Sequence, residues 1–263
     1  MLLSYSFSNF QSFRELTHVS TTVSDKVALS DWITTTPTGE RINKVVAVMG
    51  ANGSGKTTLL KPLVFLDWFI SHSFSQAPEA AIPFTPHFAT TNEATEFSAT
   101  AIYKGQIWKY VLRCIPERVI HEALYVKKER FKYVFVRDWD DNKQTYRIKQ
   151  QDFGFAPAEA RKVRANASLI STAAQYGIPL AKDMASSGLR SNITALGRQP
   201  LSQDLVLNAA AHFSQLSEQR TIIARLLHDW DLGLSNVELG NLRRPARRLK
   251  QQNLASCWHT PDN

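Results

Sequence analysis

The chain of 263 residues has only two cysteines, Cys114 and Cys257. They stand alone, without the paired spacing of a zinc site or of a disulfide framework, so neither holds the fold together. A reducing, cytoplasmic setting is therefore expected. Long apolar runs are also missing. The richest, 63–70, is interrupted by Asp67 and is too short to cross a bilayer. The first residues, Met1-Leu2-Leu3-Ser4-Tyr5, lack the basic region of a secretory leader, and no membrane partner is expected. Most informative of all, Asp-Glu occurs nowhere in the chain.

What is present is ample for a core: 43% hydrophobic and 10% aromatic residues. The net charge is +8. Residues 241–263 hold Arg243, Arg244, Arg247, Arg248 and Lys250 against Asp262, a net +4. The other 240 residues share the remaining +4. The body is thus mildly basic on average, and the overall charge does not by itself mark a nucleic-acid-binding face.

The strongest motif is Gly50-Ala51-Asn52-Gly53-Ser54-Gly55-Lys56-Thr57, which fits the phosphate-binding loop G-x-x-x-x-G-K-[ST]. Val45–Met49 before it has the apolar character of a buried parallel strand, and Thr58-Leu59-Leu60 opens a helical pattern. Strand, glycine loop and helix is the order that phosphate binding needs. The glycines let successive backbone N–H groups turn inward, and the following helix adds its free N–H groups and positive dipole end. Lys56 supplies a mobile cation for the outer phosphates, and Thr57 a hydroxyl for Mg²⁺. The expected nucleotide-binding residues are Gly50, Asn52, Gly53, Ser54, Gly55, Lys56, Thr57 and Thr58, with Thr57 as metal ligand. ATP and Mg²⁺ are the expected cofactors. Pro62 removes one helical hydrogen bond and is a candidate kink.

Along the rest of the chain, Leu3, Tyr5 and Phe7 alternate with serines, which predicts a half-buried strand. Thr17–Val23 reads as a second strand, 26–44 as loop and 71–94 as irregular. From Glu96 the period is two: strands at Glu96–Ile102 and Gln106–Cys114 joined by Lys104-Gly105, then Val119–Lys127, Tyr133–Arg137 and Gln144–Ile148. Trp108, Tyr110 and Leu112 share a face. From about Ala158 the pattern turns helical, with Val163, Ala167 and Ile170 on one stripe and further helices over 202–213 and 217–229. The expected organisation is 1–94, the N-terminal part of a P-loop core; 95–150, an antiparallel β layer; 151–237, a helical lobe; and 238–263, a basic and poorly ordered tail.

Hydrolysis in a P-loop ATPase calls for an apolar strand ending in Asp, often Asp-Glu, which orders Mg²⁺ and polarises the attacking water. Ile115-Pro116-Glu117 is interrupted by proline, and Leu226-Leu227-His228-Asp229 reads as helix surface. No catalytic residue is assigned. A P-loop kinase or other transferase is an alternative, but it needs an arginine-rich lid, and no arginine cluster precedes residue 240 at suitable spacing. A non-enzymatic module that binds DNA weakly and non-specifically through the basic tail is a third reading.

Ser8-Asn9-Phe10-Gln11-Ser12-Phe13 followed by the P-loop resembles the head-domain opening of ABC-type ATPases of the SMC/RecF kind. More closely, the chain is similar to bacterial AAA family ATP-binding proteins of the abortive-infection and retron-associated defence class. Ile82-Pro83-Phe84, Glu122-Ala123-Leu124-Tyr125 and Asn166-Ala167-Ser168-Leu169-Ile170-Ser171 carry the likeness further, over residues 1–237. The resemblance implies an α/β P-loop fold of ABC head type, ATP hydrolysis, self-association around the nucleotide, and gating of an effector nuclease in antiviral defence. It also implies a Ser/Gly-rich signature, an Asp-Glu strand and a switch His in a second half. Of these the chain has only a faint echo, Ser186-Ser187-Gly188-Leu189, read as a loop. Gln11 stands where arginine is common in the SMC relatives. A truncated form, with residues 238–263 outside the family pattern, is the expectation.

Overall fold

In the computed structural model the described residues are 1–186, 188–189 and 191–194, with 207–208, 210–211, 214, 218 and 221–225 further on. The chain divides into two units, 1–199 and 200–263. In the second, 221–225 are helical. Within the helices expected over 202–213 and 217–229, the described residues 207–208, 210–211 and 218 are helical too; the rest of both, the Leu226–Asp229 stretch and the basic tail lie outside the described residues.

The first unit is built on an antiparallel sheet of seven strands in the order β2-β1-β5-β6-β7-β8-β9. These are β1 Leu2–Ser8, β2 Thr17–Ser20, β5 Thr95–Tyr103, β6 Gln106–Ile115, β7 Arg118–Lys127, β8 Phe131–Asp140 and β9 Thr145–Gln150. A separate ribbon, β3 Ile33–Thr35 with β4 Arg41–Asn43, forms inside the expected loop 26–44. Strands β5 to β9 follow one another as hairpins, which is why alternation and short turn signals located them. The N-terminal strands join this layer directly, since Tyr5 pairs with Ala99 and Phe7 with Phe97.

Four helices accompany the sheet: α1 Lys56–His72, α2 Pro157–Ala160, α3 Leu169–Gln175 and α4 Pro179–Ser186. The core gathers Tyr5, Phe7, Phe97, Tyr110 and Leu112 from the sheet with Phe65, Leu66 and Phe69 from α1 and Ile170 and Ala173 from α3. Phe65 is fully buried, with its ring 4.7 Å from Phe97 and 5.7 Å from Phe84. Pro62 does not end α1, which runs on to His72. Proline leaves the carbonyl of residue i−4 without its usual donor. One residue along, the Leu59 carbonyl accepts a bond of 2.9 Å from the Tyr5 hydroxyl, tying this turn to β1.

Two expectations fail. Val45–Met49 is not a strand, and Val45, Val46 and Met49 are exposed at 62%, 50% and 88%. A strand needs a neighbour for its backbone groups, and no described strand lies parallel to this segment. Val163, Ala167 and Ile170 are all buried but do not share a helix. Helix α2 stops at Ala160, and α3 begins only at Leu169 behind its cap Ser168, whose hydroxyl accepts from the N–H groups of Ile170 and Ser171.

The break is explained by a buried polar network. Glu122 and Arg137 are both fully buried in the sheet. The Glu122 carboxylate accepts from the Tyr110 hydroxyl (2.8 Å), the Ser168 hydroxyl (2.7 Å) and the backbone N–H of Leu169 (3.0 Å). Arg137 reaches it at 3.4 Å and donates to the carbonyls of Ala167 (2.7 Å) and Arg164 (2.7 Å). Its guanidinium lies 3.8 Å from the centre of the Tyr146 ring. An irregular 161–168 segment is what allows those carbonyls to point at arginine.

Replacing Glu122 with alanine strands a buried guanidinium. The expected cost is about 3–5 kcal/mol in urea unfolding, and a loss below about 1 kcal/mol would contradict this account. A second expectation concerns alkali. Burial pushes the Tyr5 hydroxyl up to about 12, and burial together with the Glu122 carboxylate raises Tyr110 further above its ordinary range. The folded state keeps these protons after an unfolded tyrosine has lost them near pH 10. Their stabilising effect is therefore full below pH 10 and lost as pH climbs toward 12 and beyond. Melting temperature should fall steeply over that range, whereas a flat profile from pH 9 to 12 would count against it.

Candidate phosphate-binding site

The P-loop sits at the start of α1, supported by the turn that follows β1. Asn9 and Gln11 both take left-handed backbone angles there, with φ of 54° and 49°. Asn9 is buried and uses its whole amide: Nδ2 donates to the carbonyls of Thr90 (3.1 Å) and Glu93 (2.8 Å), while Oδ1 accepts from the His87 N–H (3.0 Å) and the Thr90 hydroxyl (2.6 Å). Phe10 is fully buried, and Phe13 turns its ring toward the loop. The Ser8–Phe13 stretch thus fixes the floor under the P-loop.

Two glycines of the loop are required by space and angle. A Cβ on Gly50 would stand 2.8 Å from the Ser54 hydroxyl oxygen. Gly55 precedes α1 with φ of 87°, and a Cβ there would meet the Phe13 ring at 3.2 Å. A side chain at Gly55 is thus disfavoured by both backbone and packing.

The N-terminus of α1 has no side-chain cap and no acidic residue in its first turn. Its free N–H groups and positive dipole end face the loop, which suits an anion. Lys56 bends back over this end, and its Nζ donates to the carbonyls of Gly50 (2.7 Å) and Ala51 (2.6 Å). Asn52, Gly53, Ser54 and Thr57 are exposed, and Thr58 is half-buried. All eight expected residues lie on one accessible loop and helix start. Two of these features suit a polyphosphate: an uncapped helix N-terminus and a lysine held beside it.

Lys61 was not singled out by sequence. It lies on α1, and its Nζ donates to Gln11 Oε1 at 3.1 Å. A second lysine thus stands beside the turn that carries Gln11. A lysine one and a half turns beyond a P-loop lysine is common on any helix surface, so spacing alone gave no signal.

The echo of a signature lies elsewhere. The Leu189 N–H donates to Asp67 Oδ1 at 2.8 Å, and burial raises that carboxyl above its usual range. Asp67 is eleven residues along α1 from Lys56, about 16 Å at helical rise. Gly188 and Leu189 therefore pack at the far end of the P-loop helix. Among the described residues no group of three or more His, Cys, Asp or Glu converges as a metal cluster, and no helix is long and apolar enough to cross a membrane.

Comparison with curated proteins gives no match. One family model matches residues 45–195, described as "AAA domain, putative AbiEii toxin, Type IV TA system". The match begins at the exposed run before the P-loop, spans α1 and strands β5 to β9, and covers more than half of the chain. With the P-loop sequence at the start of α1 and a mixed α/β architecture around it, the chain belongs to this AAA domain family of nucleotide-binding P-loop ATPases.

Proposed function

We propose that this protein binds MgATP at Gly50–Thr57 and supplies the phosphate-gripping half of an ABC-type ATP site of the antiviral defence class. The observation that carries the reading is the uncapped start of α1 with Lys56 held across the loop carbonyls. Asn52, Gly53, Ser54 and Gly55 would offer backbone N–H groups, with Gly50 opening the loop. Lys56 would neutralise phosphate charge by leaving the carbonyls of Gly50 and Ala51. Thr57 would hold Mg²⁺, and Thr58 would add the next helical N–H. The bound metal supplies charge neutralisation across the outer phosphates.

The complementary half would bring the water-orienting carboxylate. Two features support this. No Asp-Glu pair exists in the sequence, and Val45–Met49 is an exposed apolar segment that a neighbouring strand would cover. On this reading the chain is a truncated member of its class. In intact relatives, closure of two such halves on ATP would gate an effector nuclease. Translating the downstream DNA in all frames tests the truncation: a Ser/Gly-rich signature and an Asp-Glu strand are expected there, and finding neither contradicts it.

Binding is tested by thermal unfolding with MgATP. At a hundred times Kd the stabilisation should be about 2.7 kcal/mol, a rise of roughly 5–11 °C for a chain of this size. Lys56→Ala and Gly55→Ala should lose the shift, and Thr57→Ala should lose only its Mg²⁺-dependent part. An unchanged shift in Lys56→Ala would place the nucleotide elsewhere. Phosphate release by the chain alone should not exceed that of Lys56→Ala. Turnover that this substitution abolishes would show a complete catalytic site and overturn the half-site reading.

A further inference from the structure

The mild average charge of the body hides an uneven distribution. Residues 95–150 hold twelve Lys and Arg against seven Asp and Glu, a net +5. Residues 1–94 carry −1 and residues 151–240 are neutral. The excess therefore belongs to the five hairpin strands β5 to β9.

One face of those strands packs on α1 and α3. Register identifies what the opposite face presents. Lys109 is opposite both Thr100 and Tyr125, and Tyr125 is opposite Tyr133. In the next row Ile107 is opposite Lys127, and Lys127 is opposite Phe131. Residues directly opposite each other in an antiparallel pair share a face. Three aromatic rings, Tyr125, Tyr133 and Phe131, thus stand together on the outer face. Phe131 is 42% exposed, and the two tyrosines are partly exposed.

Cations surround them. Lys149 is opposite Val136 on the same face, and Arg130 is exposed at the turn beside Phe131. Lys109, Arg130 and Lys149 take part in no ion pair among the described residues, whereas Lys127 lies 3.9 Å from Glu40 of the β3–β4 turn. That ribbon lies over the β1, β5 and β6 side of the same end, where Ile42 packs on Leu3, Ile102 and Ile107, and it leaves Phe131 of β8 exposed. A lower row on the face, by contrast, is charge-balanced: Glu96 lies 3.3 Å from Arg113, and Asp138, bonded to His121 at 2.7 Å, is opposite Arg147. Unbalanced positive charge and exposed rings coincide at one end of the sheet.

We propose that this end of the outer face binds single-stranded nucleic acid, with Tyr125, Phe131 and Tyr133 as a stacking platform and Lys109, Arg130 and Lys149 neutralising the backbone. Rings stack on unpaired bases of any sequence, and flanking cations release counterions from the phosphates. A duplex keeps its bases stacked inside and offers these rings little. The site is distinct from the P-loop and does not depend on the basic tail.

The test is fluorescence anisotropy of the full chain with a labelled 20-nucleotide mixed-sequence DNA strand, the same sequence as RNA, and the DNA duplex, from 50 to 300 mM KCl. The single strands should bind more tightly than the duplex. Phe131→Ala/Tyr133→Ala should weaken single-strand binding at least about tenfold with little change in salt slope. Lys109→Glu/Lys149→Glu should weaken it and flatten the slope by about 1.4, roughly 0.7 for each cation lost. Phe131→Leu, at the exposed first residue of β8, should weaken binding in the same direction with an unchanged melting temperature. A chain lacking 240–263 should still bind. Equal or tighter duplex binding, ring variants that bind as the parent does, or loss of binding on removing only the tail would each overturn the proposal. So would binding of an acidic polypeptide but of no oligonucleotide.

Discussion

The Glu122 carboxylate is the constraint on which the arrangement of this molecule depends. A buried carboxylate must be met by hydrogen bonds. It meets Tyr110 on β6, Arg137 on β8, and the cap and first N–H of α3. The sheet and the helical segment are thereby joined through charge as well as through apolar packing. The chain of contacts continues outward. The Ser168 N–H donates to the Ser73 hydroxyl at 2.9 Å, and that hydroxyl donates to the Phe69 carbonyl at 2.5 Å, at the end of α1. Asn166 holds the carbonyls of Ala77 and Ala80. Ile82 donates its N–H to the Pro116 carbonyl beside the β6–β7 turn. Helix α1 is therefore anchored at its far end by this network, near Leu59 by Tyr5, and at its start by the Phe13 contact with the P-loop.

The stretches that carry the family likeness acquire a physical meaning from this. Glu122-Ala123-Leu124-Tyr125 contains the carboxylate, Asn166–Ser171 contains its caps, and Ile82-Pro83-Phe84 closes the strap between them. Ser8–Phe13 does for the start of α1 what these do for its end. They position the helix that presents Lys56 and contribute no group to the phosphate cradle.

The β layer was legible because period two, short turns and aromatic strand residues all agree. The P-loop was legible because its chemistry fixes residue types at fixed spacing. Val45–Met49 misled because apolar character marks a segment that wants burial, whereas a strand also requires a neighbour. Val163, Ala167 and Ile170 misled because burial came from a loop folded around Arg137, and loops follow no period. Arg137 itself went unnoticed. An arginine and a glutamate within two apolar strand patterns were the available signal, but only the register that sets Glu122 opposite Arg137 reveals the pair. The outer face was likewise hidden, since composition averages over faces that the sheet separates.

The proposed function rests on the start of α1 serving as a grip for the phosphates of ATP. Amide hydrogen exchange on the full chain with and without MgATP tests it most directly. The expected result is slower exchange across residues 50–58, little change in β7 and β8, and no effect of MgATP in Lys56→Ala. Unchanged exchange at 50–58 under saturating MgATP, or protection elsewhere alone, would contradict it.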